Sequence, residues 1–284
     1  MIGIARVAGC TMAGAFALAG ALAVAHPAAP KLKLYVMDCG LLNDRDTGRY
    51  HLTHEQIGRD GPIALADPCF LIVHPKGTLL WDTGLNDARF RRPGGDGPKH
   101  DLVARSVRSQ LAEIGYTPGR ITYLALSHLH PDHAGNANDY AGSTWLVQQA
   151  DHDSMDAPKS PTRFVPSEYA ALHGAKTILL HGDYDVFADG SVLIKSTPGH
   201  TAGDQSLFVR LRKTGPVVLS GDLFHFNKEV ELHTLPPDDD DDPALTARSR
   251  EALLAFVAKT QAKLWVQHDL LGFRKLKLEP YAYE

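Results

Sequence analysis

Short apolar runs that end in a turn and a polar residue recur along this chain. Residues 31–37 predict a first strand, closed by Asp38-Cys39-Gly40, while 70–74 and 78–81 predict a hairpin turning at Pro75-Lys76-Gly77. Residues 121–126 have the pattern of a buried strand. The runs 144–148, 177–180 and 192–196 are further strands, 205–211 pairs with 216–220, and 263–267 is the last. Helical spacing appears twice. Val103, Val107, Leu111 and Ile114 form an apolar stripe over 102–114, with Asp101 as N-cap and Gly115 as stop, and 245–258 is the second helix. Residues 43–62, polar and charged, and 89–99, rich in Gly, Pro and Arg, predict surface loops. No repeat and no linker divides the chain beyond residue 25, so one domain over 26–284 is expected.

The amino terminus stands apart from this pattern. Residues 1–25 carry one charge, Arg6, then an Ala-rich apolar stretch over 7–22 and an A-x-A cleavage pattern, Ala23-Val24-Ala25. They read as a secretory signal peptide cut after Ala25, which predicts a periplasmic or secreted protein with no membrane association after cleavage. An uncleaved anchor and a lipoprotein box at Val7-Ala8-Gly9-Cys10 are the alternatives, although few apolar residues precede Cys10. Cleavage leaves Cys39 and Cys69, and export permits a disulfide between them; two buried free thiols are the other reading. The 284 residues are 44% hydrophobic and 22% charged, ordinary for a globular protein with a sizeable core. A formal charge of −4 argues against a nucleic-acid partner. The run 238–242 is five aspartates between prolines; the ordered spacing of a calcium loop is absent, so a solvated loop is expected.

Candidate chemistry concentrates behind the strand at 121–126. His128, His130, Asp132 and His133 put four metal-capable side chains into six positions. In extended chain the rings of His128 and His130 point to one side, and Pro131 suits the first turn of a helix that brings Asp132 and His133 round to the same point. That is enough for two ions. Three more ligand types occupy equivalent places: His200 after the 192–196 strand, Asp222 after 216–220, and His268 directly after the last strand. A lone His or Asp at a strand end is usually a turn residue. Four separate segments ending the same way point to a site on one rim of a sheet structure.

His128-x-His130-x-Asp132-His133, followed by His200, Asp222 and His268, resembles the metallo-β-lactamase superfamily, and Trp81-Asp82-Thr83-Gly84 is similar to its early Asp motif. The resemblance implies an α+β fold, a four-layer αββα sandwich with the metals at one edge of two sheets. It also implies two zinc ions, with cobalt, manganese or iron as alternatives. One ion would be held by His128, His130 and His200, the other by Asp132, His133 and His268, with Asp222 bridging. The implied chemistry is hydrolysis by a metal-bridging hydroxide, since a dinuclear site lowers the pKa of water to about 7. Asp132 or a nearby group would pass the proton to the leaving oxygen.

Within the superfamily, the bridging Asp222 departs from true β-lactamases, and His130 departs from flavo-diiron oxygen reductases, where a Glu would stand. Residues 34–40, 67–72 and 74–84 resemble N-acyl-homoserine lactonases, the quorum-quenching lactonases, which implies a small-molecule lactone or ester substrate and is compatible with a homodimer. One position departs from that pattern. Lactonases of this kind carry a Tyr three residues after the bridging Asp, assisting at the substrate carbonyl; here the residue is His225, a hydrogen-bond donor whose protonation is pH-dependent. The competing readings are a promiscuous esterase, phosphotriesterase or β-lactam hydrolase on the same site, an iron redox enzyme, and a non-catalytic metal binder. The last fits poorly, because structural zinc sites are closed four-ligand cages.

Overall fold

A computed structural model describes residues 3, 30–57, 63–90, 101–156 and 163–284. The expected signal peptide, its cleavage point and most of the 89–99 loop lie outside the described residues. Among the described residues, twelve strands follow in chain order: β1 Lys33–Arg45, β2 Ile63–His74, β3 Gly77–Trp81, β4 Tyr123–Ala125, β5 Thr144–Gln148, β6 Thr177–Leu180, β7 Tyr184–Asp185, β8 Val192–Ser196, β9 Gln205–Leu211, β10 Gly215–Leu219, β11 Lys263–Trp265 and β12 Ala282–Tyr283. They form a seven-stranded sheet, β12-β1-β2-β3-β4-β5-β6, and a five-stranded sheet, β11-β10-β9-β8-β7.

Period-two alternation explains the layering. Leu34, Val36, Phe70, Ile72, Leu79 and Trp81 point from the first sheet into a shared core with Ile194, Leu207, Val209, Val217 and Leu219 of the second. Their neighbours Tyr35, Met37, Leu71, Leu80 and Leu124 point the other way, onto Val107, Leu111, Tyr140, Tyr169 and Leu172 in the helical segments outside. Phe208 and Val218 likewise pack on Leu253 of the Pro243–Thr260 helix. Strands apolar on both faces are what two covered sheets require. The result is the expected αββα sandwich.

Three local expectations change. The first helix begins at Val107, not Leu102, because Ser106 is its N-cap and accepts from Ser109 N at 3.1 Å. Leu102 instead pairs with Leu41 through two backbone hydrogen bonds of 2.8 and 2.9 Å, and Asp101 accepts from Asn43 N at 3.0 Å. The described part of the 43–62 loop, residues 43–57, is not simply surface: β1 runs on to Arg45, and Tyr50 and Leu52 are buried in a satellite cluster with Leu42, Leu65, Leu85 and Phe226. Cys39 and Cys69, on paired strands, form a disulfide, which resolves the choice left open by the sequence.

Candidate metal centre

The carboxyl ends of five strands supply the site. β3 delivers Asp82, β4 delivers Ser127 and His128, β8 leads to His200, β10 to Asp222 and β11 to His268. The short Pro131–Ala134 helix has His130 as its N-cap residue and Pro131 at its first position, and it turns Asp132 and His133 back toward the strand end. Gly84, at φ +65°, lets the turn after Asp82 press on the disulfide: a Cβ there would lie 2.3 Å from Cys39 Cβ.

All seven sequence-derived ligands meet. His128, His130, His200 and Asp222 form one buried group, and Asp132, His133 and His268 a second, with the ligand atoms of each group within 4.8 Å of one another. Asp222 reaches both. Its Oδ1 is 2.9 Å from His268 Nε2 and 3.1 Å from His133 Nε2, while its Oδ2 is 3.3 Å from His200 Nε2 and 3.8 Å from His128 Nε2. On the first group, His130 Nδ1 faces His128 Nε2 at 2.7 Å and His200 Nε2 at 3.1 Å.

The opposite ring nitrogens are held from behind. His133 Nδ1 faces Asp82 Oδ2 at 3.1 Å and Ser127 Oγ at 3.0 Å, His128 Nδ1 faces Ser127 Oγ at 3.1 Å, and His200 Nδ1 faces Asp240 Oδ1 at 2.8 Å. His268 Nδ1 donates to the Ala66 carbonyl at 2.6 Å. Occupying Nδ1 leaves Nε2 bare on the inner side, the arrangement that metal-binding histidines need. Asp82 is itself fixed: Oδ1 accepts from Ser127 N at 2.6 Å and Oδ2 from Gln267 Nε2 at 2.9 Å, its backbone at φ +60°.

The donor set fits two divalent cations. His133 Nε2 and Asp222 Oδ1 are buried without a hydrogen bond of good geometry, aimed at a common space. Burial, with the neighbouring imidazoles His133 and His200 respectively, pulls His128 and His130 well below the usual histidine range, so both are neutral and ready to ligate. Burial is the largest influence on His133 and His268 too and opposes their charge, but Asp222 and Asp132, with Asp82 at His133, together outweigh it, raising His133 well above that range and His268 to about 9. Asp222 is held well below the usual carboxylate range against its own burial, chiefly by His268 and His133. A site that attracts positive charge this strongly, through bare nitrogens and a two-sided carboxylate, suits metal ions.

The family profile of the Metallo-beta-lactamase superfamily matches residues 65–268. The chain belongs to that superfamily. Among relatives, it is 27% identical over 270 residues to the N-acyl homoserine lactonase AttM of Azorhizobium caulinodans, spanning 89% of this chain and 99% of that protein. It is 29% identical over 221 residues to an N-acyl homoserine lactonase of a Bacillus species, spanning 75% and 84%. Its fold is similar to a quorum-quenching N-acyl homoserine lactone lactonase, with TM-score 0.75 at 24% identity over 89% of this chain and 98% of the other. The dizinc quorum-quenching lactonase AidC, with a product bound, gives TM-score 0.64 at 18% identity over 85% and 88%.

The site opens at the carboxyl ends of the strands. A cavity of about 450 Å³ is lined by ligands Asp132, Asp222 and His268, by His225, by Tyr50 and Leu65, and at its rim by Arg49 and Arg163. Both arginines reach Asp239, at 3.0 and 3.3 Å. His225 is buried between Tyr50, 4.6 Å between ring centroids, and His268, stacked at 5.6 Å, with Nε2 3.3 Å from Asp222 Oδ2. Burial lowers its pKa, partly offset by Asp222.

Sequence reading missed four contributors. Asp240 sits in the run expected to be solvated, yet it is buried against His200; five identical residues in a row offer no pattern that singles one out. Gln267 links Trp81 Nε1, Gly221 N and Asp82, but beside His268 it reads as a strand residue. Ser127 and Tyr50 carry no motif of their own.

Proposed function

We propose that this protein opens the lactone ring of N-acyl-homoserine lactones as a hydrolase working with two zinc ions. The observation that carries the reading is Asp222, one oxygen toward each group of histidines, in a chain whose lactonase-named relatives align over 75–89% of it. Bound between His128, His130, His200, Asp222 and Asp132, His133, His268, the ions would supply Lewis acidity and an activated water at neutral pH.

The chain's own residues divide the remaining work. Asp132, 21% exposed and lining the cavity, is placed to take a proton and return it to the leaving oxygen. Burial favours the neutral form of His225, which carries one ring N–H. With Asp222 committed to the two ions, His225, whose Nε2 lies 3.3 Å from Asp222 Oδ2 in the cavity lining, would offer its ring N–H to the substrate carbonyl where related lactonases have a tyrosine. Leu42, Leu65 and Leu85 give the cavity an apolar wall against which an acyl chain can lie. The signal-like segment at 1–25 and the Cys39–Cys69 disulfide support a periplasmic or secreted location.

Initial rates of the zinc-loaded protein on an acyl-homoserine lactone, a phosphotriester and a β-lactam test this reading. Lactone opening should lead by orders of magnitude. A phosphotriester or β-lactam turned over faster would replace it with the promiscuous-hydrolase reading that His225 in the tyrosine position favours.

A further inference from the structure

The segment 238–242 does more than close a loop. Asp240 is enclosed, its side chain 0% exposed, with Oδ1 2.8 Å from His200 Nδ1 and Oδ2 accepting from Thr246 Oγ1 at 2.8 Å. The backbone is tied to the same place: Asp242 N donates to the Gly199 carbonyl at 2.9 Å and Asp241 N to the His200 carbonyl at 3.3 Å. Gly199, at φ +140°, permits the contact, since a Cβ there would lie 2.3 Å from Thr246 N. The 199–200 turn is therefore clasped against the start of the Pro243–Thr260 helix, whose N-cap is Asp242.

The two histidine groups are braced alike by this means. His133 in the second group leans on Asp82, and His200 in the first leans on Asp240. Behind the others, the groups at hydrogen-bond distance are neutral, a serine hydroxyl for His128 and a carbonyl for His268, with the Asp204 carboxylate farther from His128 Nδ1 at 3.6 Å. Each group thus contains one imidazole backed by a carboxylate at hydrogen-bond distance. Such a partner fixes tautomer and ring orientation and makes the opposite nitrogen a stronger donor to metal.

We propose that Asp240 is the positioning residue of the His128, His130, His200 metal site, holding His200 with Nδ1–H engaged and Nε2 free to ligate. The proposal rests on the metal-centre reading and assigns a task to one aspartate of five adjacent ones. Its neighbour Asp239 faces Arg49 and Arg163 at the cavity rim, so two consecutive carboxylates serve the metal site and its mouth separately.

The test is metal affinity. Two equivalents of zinc or cobalt are titrated against a competing chelator in wild type, Asp240→Asn, Asp240→Ala and Thr246→Val, with cobalt absorption and metal-free melting temperature read alongside. Asp240→Ala should weaken one equivalent by roughly 10–100-fold and alter its cobalt spectrum, leaving the other equivalent in place. Asp240→Asn keeps an acceptor for His200 but no charge, so it should fall between wild type and Asp240→Ala with an unchanged metal-free melting temperature. Thr246→Val, which touches Asp240 at the far oxygen alone and otherwise loses a contact to the Asp242 carbonyl, should bind both equivalents as wild type does. Wild-type affinity for both equivalents in the two Asp240 variants would overturn the proposal. So would equal losses in Thr246→Val and Asp240→Ala, which would make Asp240 a helix-start residue only. Wild-type protein that takes up no metal would overturn the metal-centre reading and this assignment with it.

Discussion

Removing the Glu229 charge should cost more stability than any single change among the ligands' supports. Glu229, side chain 0% exposed, faces Arg250 at 2.7 Å, itself 6% exposed. Its Oε2 accepts from His225 N at 2.5 Å and Phe226 N at 2.8 Å, and Arg250 Nε donates to the Leu223 carbonyl at 2.7 Å. This pair therefore pins the 223–226 backbone, just after Asp222. In Glu229→Gln the amide must turn its NH2 either on Arg250 or on the two backbone N–H groups, so a donor meets a donor in both orientations, and Arg250 is left charged and unpaired. Breaking a buried pair in this way costs about 3–5 kcal/mol, which for a domain of this size lowers the melting temperature by roughly 6–20 °C. Thermal unfolding of the metal-free protein at pH 7, followed by circular dichroism, measures it without the added stability of bound metal. Adding Arg250→Met should cost little more, because the stranded charge is then gone. A Glu229→Gln melting temperature within about 2 °C of wild type would refute the argument.

Other consequences can be checked separately. His133 and His268 are raised above their unfolded pKa of about 6.5, so their stabilisation is complete below that pH and is lost as pH rises through their folded values, about 9 for His268. The melting temperature of metal-free protein should fall between pH 6.5 and 9; a flat or rising profile would contradict the site's charge balance. Cys39→Ser opens a loop of 30 residues and should cost about 3–4 kcal/mol in urea unfolding under oxidising conditions. Wild type equally stable in reducing agent would argue against that contribution. His225→Phe keeps an aromatic ring beside Tyr50 and His268 but removes the N–H, so kcat should drop roughly 10²–10³-fold with metal content unchanged. An unchanged kcat would remove His225 from the reaction.

The sandwich was legible because alternation along strands such as 34–37 and 70–72 assigns each residue to one of two covered faces, and the structure uses both. The seven ligands were legible for a different reason: each follows an apolar run within a few residues, and local spacing in the sequence becomes a shared rim once the strands align. What lay beyond reading is long-range. Ser106 displaced Asp101 as helix cap because Leu102 was needed to pair with Leu41, a partner 61 positions away that helical periodicity does not encode. Asp240, Gln267 and Tyr50 act through neighbours brought in by other strands, and their residue types are common in loops and strands alike. The brace behind the ligands is a property of packing, and only the ligands themselves have a signature.

Lactone opening should depend directly on bound metal. Protein stripped of metal is reloaded with zinc in steps, and the initial rate of ring opening is plotted against ions bound per chain. Two histidine groups joined by Asp222 predict no activity without metal and a rate that reaches its plateau at two ions. Full activity in demonstrably metal-free protein would contradict it.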